Sequence, residues 1–365
     1  MNGNTLSTRP RAVAVTGLQA TDNPAPGIAV AKSIRQGGYD GLIIGLTYDT
    51  YDTGSYDNEV FDQVYLIPYP NAGAEATLDR IHYIHSKVDL EAIIPNLDSE
   101  LDMYNSIRDD LTAMGVGLFI PDLKSLRMRS KARLAEFCAK NNLPVPSTEI
   151  VTDLASLDRG IMKTGYPAVV KGIFYEAYTA YSWSEAVTYL EKLRTKWGLP
   201  IMVQNMIQGE EYNVCAVGDG KGNLVGAVPM RKLRLTDKGK AWAGITIRDE
   251  ELLDLAKRAM EALQWRGPCE LELMRHEQSG KYYMIEINPR FPSWCYLTTG
   301  AGQNLPYAAL QLAMGQDPGI LPDYRSGVTF ARHAVDIICD LKALEGLTVK
   351  GEVVYRETVA KKEGV

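Results

Sequence analysis

The chain has 365 residues, a formal net charge of −6 and the mix of apolar and charged residues ordinary for a soluble globular enzyme. That length fits two or three packed domains. No stretch concentrates Lys and Arg on one side, which argues against a nucleic-acid partner. Cys138, Cys215, Cys269, Cys295 and Cys339 show no paired spacing, so neither a zinc site nor a disulfide framework is indicated, and a reducing, cytoplasmic compartment is expected. Met1 to Pro10 is polar and no later run is long enough to span a bilayer, so neither a signal peptide nor a membrane partner is expected.

Ala12 to Gly17 is a short apolar run ending in glycine, the pattern of a buried parallel strand. A loop from Leu18 to Gly27 leads into a helix over Ile28–Gln36, and further apolar runs follow at Gly41–Leu46, Val64–Ile67 and Ala92–Pro95. Strands alternating with helices imply a parallel sheet covered on both faces. The segment Asp22–Gly27 stands at a strand-to-helix junction, where amides point outward. It lacks Gly-x-Gly-x-x-Gly spacing and its two prolines remove donors, so a rigid turn or contact with some other ligand is favoured over a dinucleotide site.

Beyond Pro121, Ser130 is placed as the N-cap of a helix with Leu134, Phe137 and Cys138 on its apolar side, and Leu143–Pro146 marks the exit. Lys131 falls in the first turn, a poor place for a cation unless an anion faces it; a solvated lysine is the alternative. Pro167–Lys171 is a strand that ends in a lysine, and Ser184–Arg194 is a helix whose Ala186, Val187, Leu190 and Leu193 pack a core. Pro200–Ile207 is nearly continuous apolar strand. Strands over Asn213–Val217 and Leu224–Lys232 are joined by the turn residues Gly218–Asn223. The basic run Arg231, Lys232, Arg234, Lys238 and Lys240, with Trp242 within it, is expected to be a solvated loop, and Asp249 caps a helix with Leu252, Leu253, Ala256, Met260 and Leu263 inward.

The chemistry concentrates in Glu286-Ile287-Asn288-Pro289-Arg290. Alternation places Glu286 and Asn288 on one face of a strand and Ile285 and Ile287 on the other, and Pro289 ends the ladder. The preceding strand, Cys269–Met274, returns through a turn at Glu277–Gly280. A hairpin centred on Ser279 sets Glu272 opposite Glu286 and Glu270 opposite Asn288. Like charges across a ladder are destabilising by roughly 0.2–1 kcal/mol, so the pair asks for a cation, and magnesium is the one expected. Two acids on a wet sheet face are the alternative. The tail, with strands over Val328–Val335 and Gly351–Tyr355, has the look of edge structure closing a domain.

Taken in order, Ser130–Leu134, Pro167–Lys171, Val203–Tyr212, Glu270–Glu272 and Glu286–Arg290 resemble the ATP-grasp superfamily, on the carbamoyl-phosphate-synthetase and biotin-carboxylase side, and Ala92–Leu101 resembles the end of that family's N-terminal domain. The resemblance implies an α/β and α+β architecture: a Rossmann-like domain over 1–122, a two-lobed ATP-grasp fold over 123–330 with a lid lobe at about 145–210, and a closing segment over 331–365. It implies ATP with magnesium, or manganese in its place. Lys131 and Lys171 would contact phosphates. Gln204, Asn205, Met206 and Ile207 would form the hinge at the adenine edge, with Ile207 and Met274 on its faces, and Glu211 would hold the ribose. Glu272, Glu286 and Asn288 would hold the metal, Asn288 and Arg290 would serve catalysis, and Arg231 and Lys232 fall where relatives place further basic residues.

One departure stands out. The family's glycine-rich phosphate loop is replaced here by Gly172–Ser182, with one glycine and three tyrosines. The resemblance implies an ADP-forming ligase that activates a carboxylate as an acyl phosphate for an amine, with small-molecule or peptide acids and amines as substrates and a homodimer as a common family state. Two other readings stay open: bicarbonate activation of the biotin-carboxylase kind, and a nucleotide- or peptide-binding module in which transfer is lost. Cys295 has no histidine placed to activate it, and core packing is favoured over a thioester; His82, His85, His276 and His333 receive no role. Phe291, Trp294 and Tyr296 suggest an aromatic surface beside the reacting acid, or core packing.

Overall fold

The computed structural model describes residues 9–20, 24–173, 176–236 and 239–358. Asp22, Asn23, Phe174, Tyr175 and Lys238, which figure in the readings above, lie outside the described residues. The first apolar runs form β1 (Arg11–Thr16), β2 (Leu42–Thr47), β3 (Gln63–Leu66), β4 (Asp89–Ile94) and β5 (Gly117–Leu118), which pair in parallel in the order β3-β2-β1-β4-β5. β2 is buried throughout and β1 from Ala12 onward, as central strands covered on both faces must be. Strand order reverses between β1 and β4, and the carboxyl ends at such a reversal open a crevice that takes ligands.

A four-stranded antiparallel lobe follows, built from β6 (Thr148–Val151), β7 (Ala168–Gly172), β8 (Ala177–Ala180) and β9 (Ile201–Asn205) in the order β6-β9-β7-β8. Helices Leu154–Thr164 and Trp183–Trp197 contribute Leu157, Ile161, Ala186, Leu190 and Leu193 to a core of its own. The departure segment is therefore mostly hairpin. Tyr178 stacks on Tyr189 with ring centroids 4.9 Å apart and donates to Glu176 at 2.9 Å, so it braces the lobe.

The largest sheet is antiparallel: β10 (Gly209–Asp219), β11 (Leu224–Leu235), β12 (Ala241–Thr246), β13 (Arg266–His276), β14 (Tyr282–Asn288) and β15 (Thr329–Ala331), in the order β14-β13-β10-β11-β12-β15. Two expectations are corrected here. The basic run is only partly a loop: Arg231 and Lys232 lie in the expected strand, which continues through Arg234 to Leu235, and Trp242 lies in β12, while Lys240 stands between the two strands. The strand expected over Val328–Val335 is confined to β15, because β12 pairs with it only from Thr329 to Ala331. The tail's β16 (Glu352–Val354) pairs antiparallel with β3, so the two tail strands edge different sheets.

One face of the large sheet packs Tyr212, Val214, Leu271, Leu273 and Ile287 against helices Lys131–Lys140 and Glu250–Leu263. A bulge shifts the register of β14 at Ile285, so Met284 and Tyr282 join the same core as Ile287. Asp249 caps its helix as expected, accepting from Glu251 and Leu252. Ser130 does stand at the N-cap position of Lys131–Lys140, but its hydroxyl donates to Arg127 O at 2.8 Å and makes no capping bond. No helix among the described residues is long and apolar enough to cross a membrane.

Candidate active site

The opposite face of the large sheet carries the polar residues. Glu272 pairs with Glu286 and Glu270 with Asn288; next to the turn the ladder runs one residue off that register, and the bulge at Ile285 brings these pairs opposite one another. Asn288 Nδ2 donates to Glu272 Oε1 at 2.8 Å and to Glu270 Oε2 at 3.2 Å. Lys131 Nζ lies 3.3 Å from Glu286 Oε1, so the cation in the first helical turn does face an anion. Lys171 reaches the same region from the lid: burial and the neighbouring Lys131 push its pKa down to about 8, against the pull of Glu286 and Glu272.

Two carboxylates and a carboxamide form an all-oxygen set suited to magnesium, which takes one or two carboxylates and completes its shell with water and phosphate oxygens. Among the described residues no three His, Cys, Asp or Glu side chains cluster closely enough to enclose an ion. The set fits an ion that shares its shell with a nucleotide.

Glu270 is the residue that sequence reasoning left out of the site. It is 6% exposed and accepts from Asn213 Nδ2 and Trp294 Nε1, both at 2.7 Å, besides Asn288; Arg290 Nη1 lies 3.6 Å away. Burial, then Glu272, pushes its pKa up, and Arg290 and the donors oppose them. The two-residue spacing from Glu272 was the available signal, since alternation puts both acids on one face. Phe291 is core and Trp294 is this buried donor, while Tyr296 points to Gln36.

Strand β11 separates its two basic residues. The ladder sets Arg231 opposite Tyr212, on the helix-packed side, where it pairs with Glu210 at 2.6 Å. Lys232 falls on the site face, its side chain 9% exposed, in an ion pair with Glu211. Burial opposes its charge, but Glu272 and Glu211 outweigh burial and hold its pKa up. The expectation for Arg231 is therefore corrected: a period of two cannot send both residues to one site. Met274 stands across the ladder from Glu211.

The hinge segment joins lid and sheet. Gln204 Nε2 donates to Thr148 Oγ1 at 2.8 Å, and the amides of Asn205 and Met206 donate to Ser147 O and Pro167 O. The amide of Ile207 makes no hydrogen bond among the described residues.

Arg290 is shared between domains. Its Nε lies 3.1 Å from Asp98 Oδ1, Nη1 donates to Phe291 O at 3.2 Å and approaches Glu270, and Nη2 has no partner among the described residues. Burial opposes its charge, but Asp98, Glu270, Glu272 and Glu286 hold its pKa above the ordinary value. Asp98 follows β4, where Glu100 anchors the turn by accepting from Thr16 Oγ1 at 2.5 Å, Tyr48 Oη at 2.5 Å and the amides of Asn96 and Leu97. Beside Arg290 lies a cavity of about 190 Å³. Gln19, Asn96 and Leu97 wall it from the carboxyl ends of β1 and β4, and Asn213, Lys232 and Trp294 from the other side. The segment Pro24–Pro26 also lines it. Cys295 is buried, which pushes its thiol pKa up and away from nucleophilic use.

Residues 199–334 match the family described as ATP-grasp in the biosynthetic pathway with Ter operon. The carbamoyl phosphate synthase large chain of Methanothermobacter thermautotrophicus is 22% identical over 318 residues, 81% of this chain but 29% of that one. The biotin carboxylase domain of Hydrogenobacter thermophilus 2-oxoglutarate carboxylase, solved as a dimer with MgADP, ADP and bicarbonate, superposes with a TM-score of 0.67 at 18% identity, over 88% of this chain and 73% of that one. An L-amino acid ligase from Bacillus licheniformis superposes with a TM-score of 0.61 at 18% identity, over 84% and 75%. At these identities the likeness is one of fold.

Proposed function

We propose that this chain, an ATP-grasp protein by its fold, is an ADP-forming ligase that activates a carboxylate as an acyl phosphate for attack by an amine. The observation that carries the reading is the single face on which Glu272, Glu286 and Asn288 adjoin Arg290 while Lys131 and Lys171 approach from two other elements. Acid, amide, guanidinium and two ammonium groups on one surface suit a polyphosphate being transferred.

In this reading Lys131 and Lys171 bind phosphate oxygens, the free amide of Ile207 meets the adenine edge with Met274 beneath it, and Glu211 exchanges Lys232 for the ribose hydroxyls. Glu272, Glu286 and Asn288 hold magnesium, which when bound neutralises charge on the phosphates. Arg290, held through Nε, offers Nη2 to the acid. A carboxylate oxygen attacks the terminal phosphorus and ADP leaves; the amine then attacks the acyl carbon, and phosphate leaves with the amine proton. The lid excludes water, which would otherwise hydrolyse the acyl phosphate. No side-chain nucleophile is required.

Incubation with ATP, magnesium, hydroxylamine and a panel of acids tests the reading. A hydroxamate formed with ADP supports it. ADP release that needs bicarbonate and is stimulated by biotin would transfer the assignment to bicarbonate activation, and ATP binding without ADP for any acid would leave a binding module.

A further inference from the structure

The cations around the cavity beside Arg290 fall into two groups. Lys232 has Glu211, and Arg290 has Asp98 with Glu270 close by. Lys240, between β11 and β12, also lines the cavity, and it makes no ion pair among the described residues. Arg332 stands behind the same wall. Its Nη1 donates to Ala241 O at 2.8 Å and its Nη2 to Ser293 Oγ at 2.6 Å, and both Ala241 and Ser293 line the cavity. It too makes no ion pair among the described residues, although it is half-buried and burial pushes its pKa down.

One guanidinium thus holds Ser293 beside the backbone of Ala241, the residue after Lys240. A hydroxyl that accepts from a guanidinium keeps its own hydrogen to give, and that of Ser293 has no acceptor among the described residues. The carboxylates that line the cavity are engaged elsewhere. Glu270 accepts from Asn213, Asn288 and Trp294, and Glu272 accepts from Asn288 and, in the ligase reading, takes the metal. An acid with a single carboxylate would use Arg290 and leave the ammonium of Lys240 and the hydroxyl of Ser293 unmatched.

We propose that the acid substrate carries a second anionic group, a carboxylate or a phosphate, bound by Lys240 and the hydroxyl of Ser293, with Arg332 aiming that hydroxyl and adding its charge. The proposal rests on the ligase reading for the carboxylate that is activated at Arg290. Hydrogen bonds to an ionised acceptor are roughly twice as strong as neutral ones, so the second group sets specificity. Lys240 is presented by a closed turn: the Thr236 amide donates to Lys240 O at 2.8 Å, and the Lys240 amide to Thr236 Oγ1 at 3.1 Å. The cavity volume of about 190 Å³ is smaller than the roughly 300 Å³ at which pockets for drug-sized ligands begin, so both anionic groups belong to one small acid.

Dianionic acids compared with partners that lack the second charge test the inference: aspartate with asparagine, glutamate with glutamine, succinate with succinamate, and 3-phosphonopropionate with propionate. Each is offered to the full chain in the ADP-release assay and in calorimetric titration with MgADP present. At least one dianion should exceed its partner about 10- to 100-fold in kcat/KM and in affinity; whether a dicarboxylate or the phosphonate leads identifies the second group. Lys240 is exposed, so Lys240→Met should fold, and it should cut the preference by about tenfold, while Lys240→Arg retains most of it and Ser293→Ala loses part. An unchanged preference in Lys240→Met, or no binding of any acid, overturns the proposal. ADP release that is equal for dianions and their partners overturns it while sustaining the ligase reading. Dianion-selective binding without ADP release from ATP under any condition would sustain the second anion site and sink the ligase.

Discussion

In the ligase reading, Lys171 couples nucleotide binding to pH. With its pKa pushed down to about 8 by burial and Lys131, it is protonated at neutral pH and largely neutral by about pH 9.5. Phosphate oxygens favour the charged form, so binding raises the pKa and takes up a proton. ATP affinity should fall as pH rises from about 7 to 9.5, and Lys171→Arg, whose guanidinium does not titrate, should flatten the curve in titrations with a fluorescent ATP analogue. Arg290 acts at the other end of the reaction. Arg290→Ala should lower turnover by about 10²–10³-fold while leaving ATP affinity nearly unchanged, read as ADP release against the same binding titration. Both residues stood out in the sequence as charges at or just past the end of an apolar strand, and their roles were implied by the family resemblance. Glu270 carried one signal, its two-residue spacing from Glu272, but not its surroundings: the three donors Asn213, Asn288 and Trp294 and the nearby Arg290 lie 18 or more positions away in the chain.

At the scale of the element, β11 shows how pairing decides what adjacency leaves open. Arg231 and Lys232 are neighbours in sequence and face opposite sides of the sheet. Arg231→Ala removes an exposed ion pair worth about 0–1 kcal/mol and should leave turnover intact, whereas Lys232→Ala should impair it by at least about tenfold; equal effects in the ADP-release assay would count against the face assignment. The hairpin β13–β14 was predictable from a turn at Glu277–Gly280 between two alternating strands, but the turn alone sets a register one residue away from the one that places Glu272 opposite Glu286. The bulge at Ile285 was not, because the extra residue is revealed only when Met284 and Ile287 are seen in one core.

For the whole molecule, the decisive contact is between the N-terminal domain and the site. Asp98 lies 3.1 Å from Arg290 and 3.2 Å from Arg129, and Arg129 donates to Ile287 O on the strand of Glu286 and Asn288 at 3.3 Å. Asp98→Asn should free the guanidinium of Arg290 to fold onto the carboxylates beside it. Turnover should drop by about tenfold or more with the KM for ATP unchanged, and Asp98→Glu should restore part of it; parallel losses of turnover and thermal stability would mark a merely structural pair.

The sequence by itself determined the order of the elements, the two-carboxylate hairpin, the lysines at a helix start and a strand end, and the hinge. Each follows from local alternation, turn residues or the placing of one charge. Only the tertiary structure decided that Glu270 is buried among three donors, that Arg231 faces away from Glu272, and that Asp98 reaches Arg290 from the N-terminal domain. Those outcomes depend on which strands pair and where strand order reverses, and such long-range geometry has no signature in neighbouring residues.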